Sequence, residues 1–297
     1  MPDTESEPTV GFVGLGIMGG AVSRNIVDAG YDLVVHDVRE EAMRELEEYG
    51  AESRSSPAAV AESADVVLSS LPTGDHVKEV ALGDDGIVEG AHEDLIYVDI
   101  STIGPNAIRE VGDGLEEVGV KTIDAPVSAS ETGAQDGTLR IMVGCTGEIP
   151  DVCDEIFDVI GSQTVHIGDL GAGQVVKVCN NLVGAASLVS MSEALVFAEK
   201  AGIDQEKLLE GMQGATGETW VLDNRAQDMI DHEFEPGFFG SYLYKDLRIG
   251  IGNAQEYGVP LPIGSTIHEL FKILEEKDRG ERDAAAILTV LEDMAGE

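Results

Sequence analysis

The sequence predicts an α/β fold: an N-terminal domain with a mostly parallel sheet, then a C-terminal all-α domain, the two joined by a long helix. Three observations carry this. Short apolar, β-branched runs alternate with helical stretches of about 10–15 residues through the first half, the signature of a parallel sheet with crossover helices. A glycine-rich turn directly follows the first of those runs. Beyond Gly168 no period-2 pattern is found, and apolar helical spacing takes over.

In chain order, Thr9–Val13 is a short strand ending in glycines, Ile17–Ala29 has helical spacing, and Gly30 stands where a helix stops. Leu33–His36 is the second strand, followed by the charged amphipathic helix Glu40–Tyr49. Val66–Leu71 and Leu95–Ile100 repeat the strand pattern, each after polar, turn-rich sequence. Val120–Ile123 and Leu139–Val143 are further strands, with helices at Ala107–Val118 and Asp151–Ile160. From Gly173 to about Ala201 runs one long apolar helix, then helices such as Gln205–Met212, Leu243–Tyr257 and Ala284–Met294. No repeat or low-complexity linker separates the halves, so the long helix is the connection, with residues 1–168 as one domain and 169–297 as the other.

Composition narrows the function classes. Hydrophobic residues at 43% of 297 are enough for a packed core and exclude wholesale disorder. Asp and Glu number 57 against 18 Lys and Arg, a net charge of −39. Such a polyanion is repelled by nucleic-acid phosphates and anionic membranes, so neither is expected as a partner. The acid is spread along the chain and lysines number only eight, which indicates a halophilic surface whose self-repulsion is screened by salt. Only Met1–Glu7 reads as a short solvated arm. Cys145, Cys153 and Cys179 have neither disulfide nor zinc spacing, and no metal site is expected. The chain opens without a basic, apolar signal segment. Its longest uncharged apolar stretch, Val178–Ser192, is 15 residues, short of the roughly 18 of a membrane span, and the expectation is a cytoplasmic protein.

Gly14, Gly16 and Gly19 in G-L-G-I-M-G (with Leu15, Ile17 and Met18 between them) match G-x-G-x-x-G. With 36 glycines in the chain the pattern alone is weak, but here it follows a strand, opens a helix and precedes an acid that ends the next strand. The first glycine permits the tight turn, the second lets a pyrophosphate approach the backbone, and the third lets helix and strand pack closely. The N-terminal domain is thus Rossmann-type, with the phosphates at the helix start. Asp37 lies 23 positions after Gly14, where a carboxylate accepts from an adenosine ribose diol and repels a 2′-phosphate. NAD is therefore expected over NADP, although Arg39 stands two residues on.

Beyond the fingerprint, the chain resembles the β-hydroxyacid dehydrogenase family, in particular its 3-hydroxyisobutyrate dehydrogenases, as an acidic member of haloarchaeal type. The resemblance spans nearly the whole chain. It runs through Gly11–Gly19, Leu71-Pro72-Thr73, Asp99-Ile100-Ser101-Thr102, Asp124-Ala125-Pro126-Val127-Ser128, Gly133-Ala134 and Gly137-Thr138-Leu139. It continues through Gly168-x-x-Gly171-x-Gly173-x-x-x-Lys177-x-x-Asn180-Asn181 and ends at Lys245-Asp246-Leu247. It implies that Thr102 and the Leu71-Pro72 turn contact the cofactor, that Lys245 reaches the active site, and that the chain forms a homodimer or homotetramer. Where the family usually continues Ser-Gly-Gly to cradle the substrate's acid group, this chain reads Ser128-Ala129-Ser130. The added methyl narrows the approach and the added hydroxyl is a further donor, so the substrate need not be 3-hydroxyisobutyrate.

Oxidising an alcohol with NAD takes a hydride to the nicotinamide and a proton from the hydroxyl to a base. Lys177 and Asn181 are four apart on the long helix and project from one face. Val175, Val176, Val178, Leu182 and Val183 surround them, so the lysine is expected to be desolvated, which eases proton exchange near neutrality. On the residues alone, a snorkelling lysine is the simpler account. The resemblance is what assigns Lys177 as general acid/base and Asn181 as the group that orients it and the substrate. The expected partner is then a small carboxylate-bearing hydroxy acid, or the matching semialdehyde. Trp220 either lines the pocket or sits in the core. His36 and His166 read as structural. The alternatives are a 6-phosphogluconate-type or imine-reducing relative, or a non-catalytic dinucleotide-binding module. The first needs a basic cluster absent near these motifs, imine reducers generally lack the lysine, and the last gives Lys177 and Asn181 no task.

Overall fold

The computed structural model describes residues 8–296; the Met1–Glu7 arm lies outside them. The chain divides into two compact units, Met1–Lys177 and Val178–Glu297.

The first unit is built on one nine-stranded sheet. Its strands are β1 (Val10–Val13), β2 (Leu33–His36), β3 (Glu52–Ser53), β4 (Val66–Ser69), β5 (Ile96–Asp99), β6 (Lys121–Asp124), β7 (Val127–Ser128), β8 (Leu139–Gly144) and β9 (Gly161–Gly168). The spatial order is β3-β2-β1-β4-β5-β6-β8-β7, with β9 on β8. From β3 to β6 every pairing is parallel. β8 then runs antiparallel to β6 and β7. The mostly parallel sheet expected from the sequence is what forms. Four of its strands are apolar on both faces, as a parallel sheet covered by helices requires.

Seven helices connect these strands: α1 (Ile17–Asp28), α2 (Glu40–Tyr49), α3 (Pro57–Ala61), α4 (Gly74–Leu82), α5 (Pro105–Glu116), α6 (Glu131–Gln135) and α7 (Asp151–Ile160). Side-chain caps set the starts of α3 and α4. The Ser56 hydroxyl accepts from the Ala59 N–H at 3.2 Å with Pro57 behind it, and Thr73 accepts from His76 at 3.3 Å. Register then places the chemistry. Val13 pairs with His36 and with Ser69, Ser69 with Asp99, and Asp99 with Asp124. The carboxyl ends of five strands are therefore level, and the residues that follow them gather at one edge, where open α/β sheets bind ligands.

α8 (Ala172–Lys200) runs from the first unit into the second. The second unit continues with α9 (Gln205–Met212), α10 (Trp220–Asn224), α11 (Ala226–Ile230), α12 (Gly240–Glu256), α13 (Pro262–Glu276) and α14 (Leu288–Ala295). Leu188, Leu195, Leu247, Phe271 and Ile287 are among its core residues. With 29 residues and a mean hydropathy of 1.5 over an 18-residue window, α8 has the length and composition to cross a bilayer. The sequence reading measured only the uncharged stretch, whereas the helix runs on through Lys177 and Glu193. A long core helix passes the same test, and α8 gives Ala185, Leu188 and Leu195 to the core of the second unit.

Several expectations change. The strand read as Val66–Leu71 ends at Ser69, which leaves Leu71 and Pro72 in a turn. β3 and β7 are too short to show a period, and β9 alternates with no buried face. The last helix begins with a 3-10 turn, Ala284–Ile287. Trp220 is not a core residue: it is 65% exposed at the start of α10, with the Arg225 guanidinium 5.7 Å from its ring.

Candidate active site

The glycine loop has the shape its motif requires. Gly14 has φ +92°, and a Cβ there would strike the Ser70 carbonyl oxygen. A Cβ on Gly19 would strike the Gly14 carbonyl oxygen, so the helix lies directly on the turn. Gly16 is different: nothing stands within 4 Å of the place its Cβ would occupy. α1 starts there with no side-chain cap and no acid in its first turn, so neither offsets the positive end of its dipole. A dinucleotide pyrophosphate fits these residues.

Asp37 directly follows β2 and is 8% exposed. Its Oδ2 accepts the Leu15 N–H at 2.7 Å, and its Oδ1 accepts the Arg39 N–H at 2.8 Å. The Arg39 guanidinium reaches both oxygens, at 3.2 and 3.3 Å, and donates to the Leu15 carbonyl at 3.0 Å. Burial alone would raise the Asp37 carboxyl, but the bonds from Arg39 and Leu15 outweigh it and hold it below its ordinary value. Four donors use most of a carboxylate's acceptor sites, so a ribose diol approaching Asp37 competes with Arg39. The loop and Arg39 border a cleft of about 590 Å³, which Gly16, Ile17, Glu40 and Glu131 also help line.

A second network lies behind the ends of β4 and β5. The Leu71 N–H donates to Ser101 Oγ at 2.8 Å, and Ser101 Oγ donates to Asp99 Oδ1 at 2.6 Å. Ser69 Oγ donates to the same Asp99 oxygen at 2.7 Å and meets the Tyr97 hydroxyl at 2.7 Å. Burial first, then the Asp99 charge, push the Tyr97 phenol well above its usual value, so Tyr97 stays neutral. This network ties the Leu71-Pro72 turn to the loop that holds Thr102.

The start of α8 is held from two sides. Asp124, at the end of β6, accepts the N–H groups of Gly171 at 2.6 Å and Gln174 at 2.8 Å. Burial pushes its carboxyl up to about 7, against those two donors. Gly173 leaves room for it, since a Cβ there would lie 2.8 Å from Asp124 Oδ2. Gln174 bonds to the Ser101–Gly104 loop. Lys177 follows one turn later and is 7% exposed.

In the second unit, Asn181 is 8% exposed and donates from Nδ2 to Asp246 Oδ2 at 2.6 Å. Its own Oδ1 accepts from Asn180 at 3.1 Å. Asp246 Oδ1 pairs with Lys245 Nζ at 3.1 Å, so one buried carboxylate on α12 joins Asn181 and Lys245.

The Ser128–Ser130 segment belongs to neither network. Ser128 lies in β7, and the exposed Ala129 methyl sits where Gly133 leaves room, since a Cβ on Gly133 would be 2.5 Å from it. Ser130 occupies the N-cap of α6, yet its hydroxyl makes no capping bond. His36 and His166 bond to the carbonyls of Arg54 and Cys145, at 2.9 and 3.1 Å.

Sequence reasoning gave no role to Asp99, Asp124, Gln174 or Asp246. Three of them stand inside the quoted motifs, which was the available signal; Gln174 sat unremarked among the variable positions before Lys177.

Comparisons with known proteins agree along the chain. Residues 9–168 match the model of the NAD binding domain of 6-phosphogluconate dehydrogenase. Residues 171–291 match that of the NAD-binding of NADP-dependent 3-hydroxyisobutyrate dehydrogenase. A Dictyostelium discoideum protein named "Probable 3-hydroxyisobutyrate dehydrogenase, mitochondrial" is 36% identical over 97% of this chain and 92% of its own length. The 2-(hydroxymethyl)glutarate dehydrogenase of Eubacterium barkeri is 30% identical, covering 98% of this chain and 97% of itself. Among solved structures, Mycobacterium tuberculosis 3-hydroxyisobutyrate dehydrogenase with L-serine superposes with a TM-score of 0.89 at 30% identity, over 96% of this chain and 99% of that one.

Proposed function

This chain belongs to the β-hydroxyacid dehydrogenase family, and on that premise we propose that it oxidises a small 3-hydroxy acid with NAD, or reduces the matching semialdehyde in reverse. That it is an NAD(P)-linked hydroxyacid dehydrogenase follows from the family. The substrate, the preference for NAD and the part of each residue belong to the proposal.

The observation that carries it is Lys177, a buried lysine one helical turn from Asn181. The nicotinamide, when bound, accepts the hydride. Lys177 Nζ takes the hydroxyl proton during oxidation and returns it during reduction. Asn181 has one N–H on Asp246 and its oxygen on Asn180, which leaves the second N–H to donate to the substrate oxygen. Ser128 and Ser130 donate to the substrate carboxylate, and the uncapped Ser130 hydroxyl supports this. Ala129 narrows the same approach.

Gly14, Leu15, Gly16, Ile17, Met18 and Gly19 form the pyrophosphate loop in this reading, with the Leu15 N–H already committed to Asp37. Asp37 faces the adenosine ribose and favours NAD. Leu71, Pro72 and Thr102 face the nicotinamide half, and Lys245 contributes its charge to the cofactor. Residues 1–168 serve the dinucleotide, and 169–297 serve substrate and self-association. A homodimer or homotetramer is supported by exposed Val183, Phe197 and Ile263 in the second unit, and a halophilic habit by the net charge of −39. A cytoplasmic location completes the proposal.

The test is NADH or NADPH formation in concentrated KCl with 3-hydroxyisobutyrate, glycerate, serine, 3-hydroxypropionate, 2-(hydroxymethyl)glutarate and a sulfonated analogue. Turnover of one acid with NAD is the expected outcome. Binding of NAD without turnover of any acid in the panel would count against it.

A further inference from the structure

We propose that Gln174 is a positioning residue that holds the helix of the proton-transferring lysine against the loop carrying Thr102. The proposal rests on the roles of Lys177 and Thr102 just given. Gln174 is completely buried in the first turn of α8. Its Oε1 accepts the N–H groups of Ile103 and Gly104, both at 3.0 Å, and its Nε2 donates to the Ser101 carbonyl at 2.8 Å. The side-chain amide therefore brackets Thr102 from both sides. Its backbone N–H is anchored separately, on Asp124 Oδ2.

Ser101 extends the connection. Its hydroxyl accepts a hydrogen bond from the Leu71 N–H and donates one to Asp99 Oδ1. Hydrogen bonds thus run from the Leu71-Pro72 turn through Ser101 to Gln174, and Lys177 stands three residues further along the same helix. Burying an amide is costly unless its groups are satisfied, and an apolar side chain would serve simple packing as well. Spending three side-chain bonds on a single loop makes sense where the separation of loop and helix matters. In a two-centre reaction it does, because a displacement of about 1 Å in a reacting group costs about a hundredfold in rate.

Gln174→Met keeps the length and removes all three side-chain bonds. Gln174→Glu keeps the acceptor for Ile103 and Gly104 but, when ionised, loses the donor to Ser101. Both are assayed with the acid that turns over fastest in the panel above, beside Lys177→Met. The expected result for Gln174→Met is a kcat reduced about tenfold or more, with the KM for the acid and the Kd for NAD within about threefold of wild type. The solvent deuterium isotope effect on kcat should rise, because proton transfer becomes more limiting, and Gln174→Glu should fall between. A folded Gln174→Met enzyme with kcat within about twofold of wild type overturns the proposal, as does a lower kcat with an unchanged isotope effect. If Gln174→Met does not fold, wild-type kcat in Gln174→Glu overturns it. Turnover by Lys177→Met would instead sink the reading of the site itself.

Discussion

Asn181 Nδ2 lies 2.6 Å from Asp246 Oδ2, a bond between α8 and α12 inside the second unit. It fixes which way the Asn181 amide faces, since the carboxylate can only accept. Removing the acceptor in Asp246→Ala leaves a buried amide donor unmet, a cost of about 1–3 kcal/mol. The expected outcome is a lower melting temperature together with a lower kcat, whereas Asp246→Asn, which can still accept, should lose less of both. Equal stability and turnover in Asp246→Ala would show that the amide does not need its partner.

Lys177→Ala should lower kcat by about 10²–10⁴ if the lysine moves the substrate proton. NAD binding, followed by fluorescence or calorimetry, should stay close to wild type, because the phosphate loop and Asp37 are untouched. A variant that loses NAD binding as well would show that Lys177 belongs to the cofactor site.

Cofactor preference turns on the pair Asp37 and Arg39. Asp37→Ala removes the carboxylate that would face a ribose diol and repel a 2′-phosphate, and it frees the guanidinium. The ratio of kcat/KM for NAD to that for NADP should fall by about tenfold or more, the scale of one charge-assisted bond. In Arg39→Ala the ratio should move the other way. An unchanged ratio in both variants would place selectivity elsewhere.

Asp124 gives stability a dependence on pH. Its folded carboxyl stands at about 7, above the value of about 3.9 for an unfolded Asp, so the native form keeps a proton that the unfolded chain gives up. Its stabilising share is full below about pH 4 and is lost as pH rises through about 7, with a slope of up to about 1.4 kcal/mol per unit. Asp124→Asn removes that titration, so the gap between wild-type and variant unfolding energies should change with pH across this window. Parallel curves would rule the titration out.

A net charge of −39 makes the folded chain repel itself at low salt. The melting temperature should rise steadily with KCl into the molar range, where the screening length drops to about 3 Å. A flat response would remove the argument for a surface suited to high salt.

The order of strands and helices was legible because it is local. β2, α2, α7 and α9 have the bounds that apolar period and turn residues predict. The Gly14–Gly19 loop was legible for the same reason, since a positive φ and a close helix approach leave only glycine. Where local pattern failed, the chain carried no local signal. The two-residue strands have no period, β9 has no buried face, and Trp220 looks apolar although most of it is exposed.

The sequence by itself therefore determined the α/β alternation, the all-helical second half, the tight glycine loop and the acid that follows the second strand. Each depends on residues within a turn or a strand of one another. Only the tertiary structure decided how the remaining polar residues are used. Gly171 finds Asp124 across 47 residues, Gln174 finds Ile103 across 71, and Asn181 finds Asp246 across 65. No period or propensity encodes a partner at such separations. Each pairing is imposed by strand register or helix packing, which bring the groups together where water cannot satisfy them.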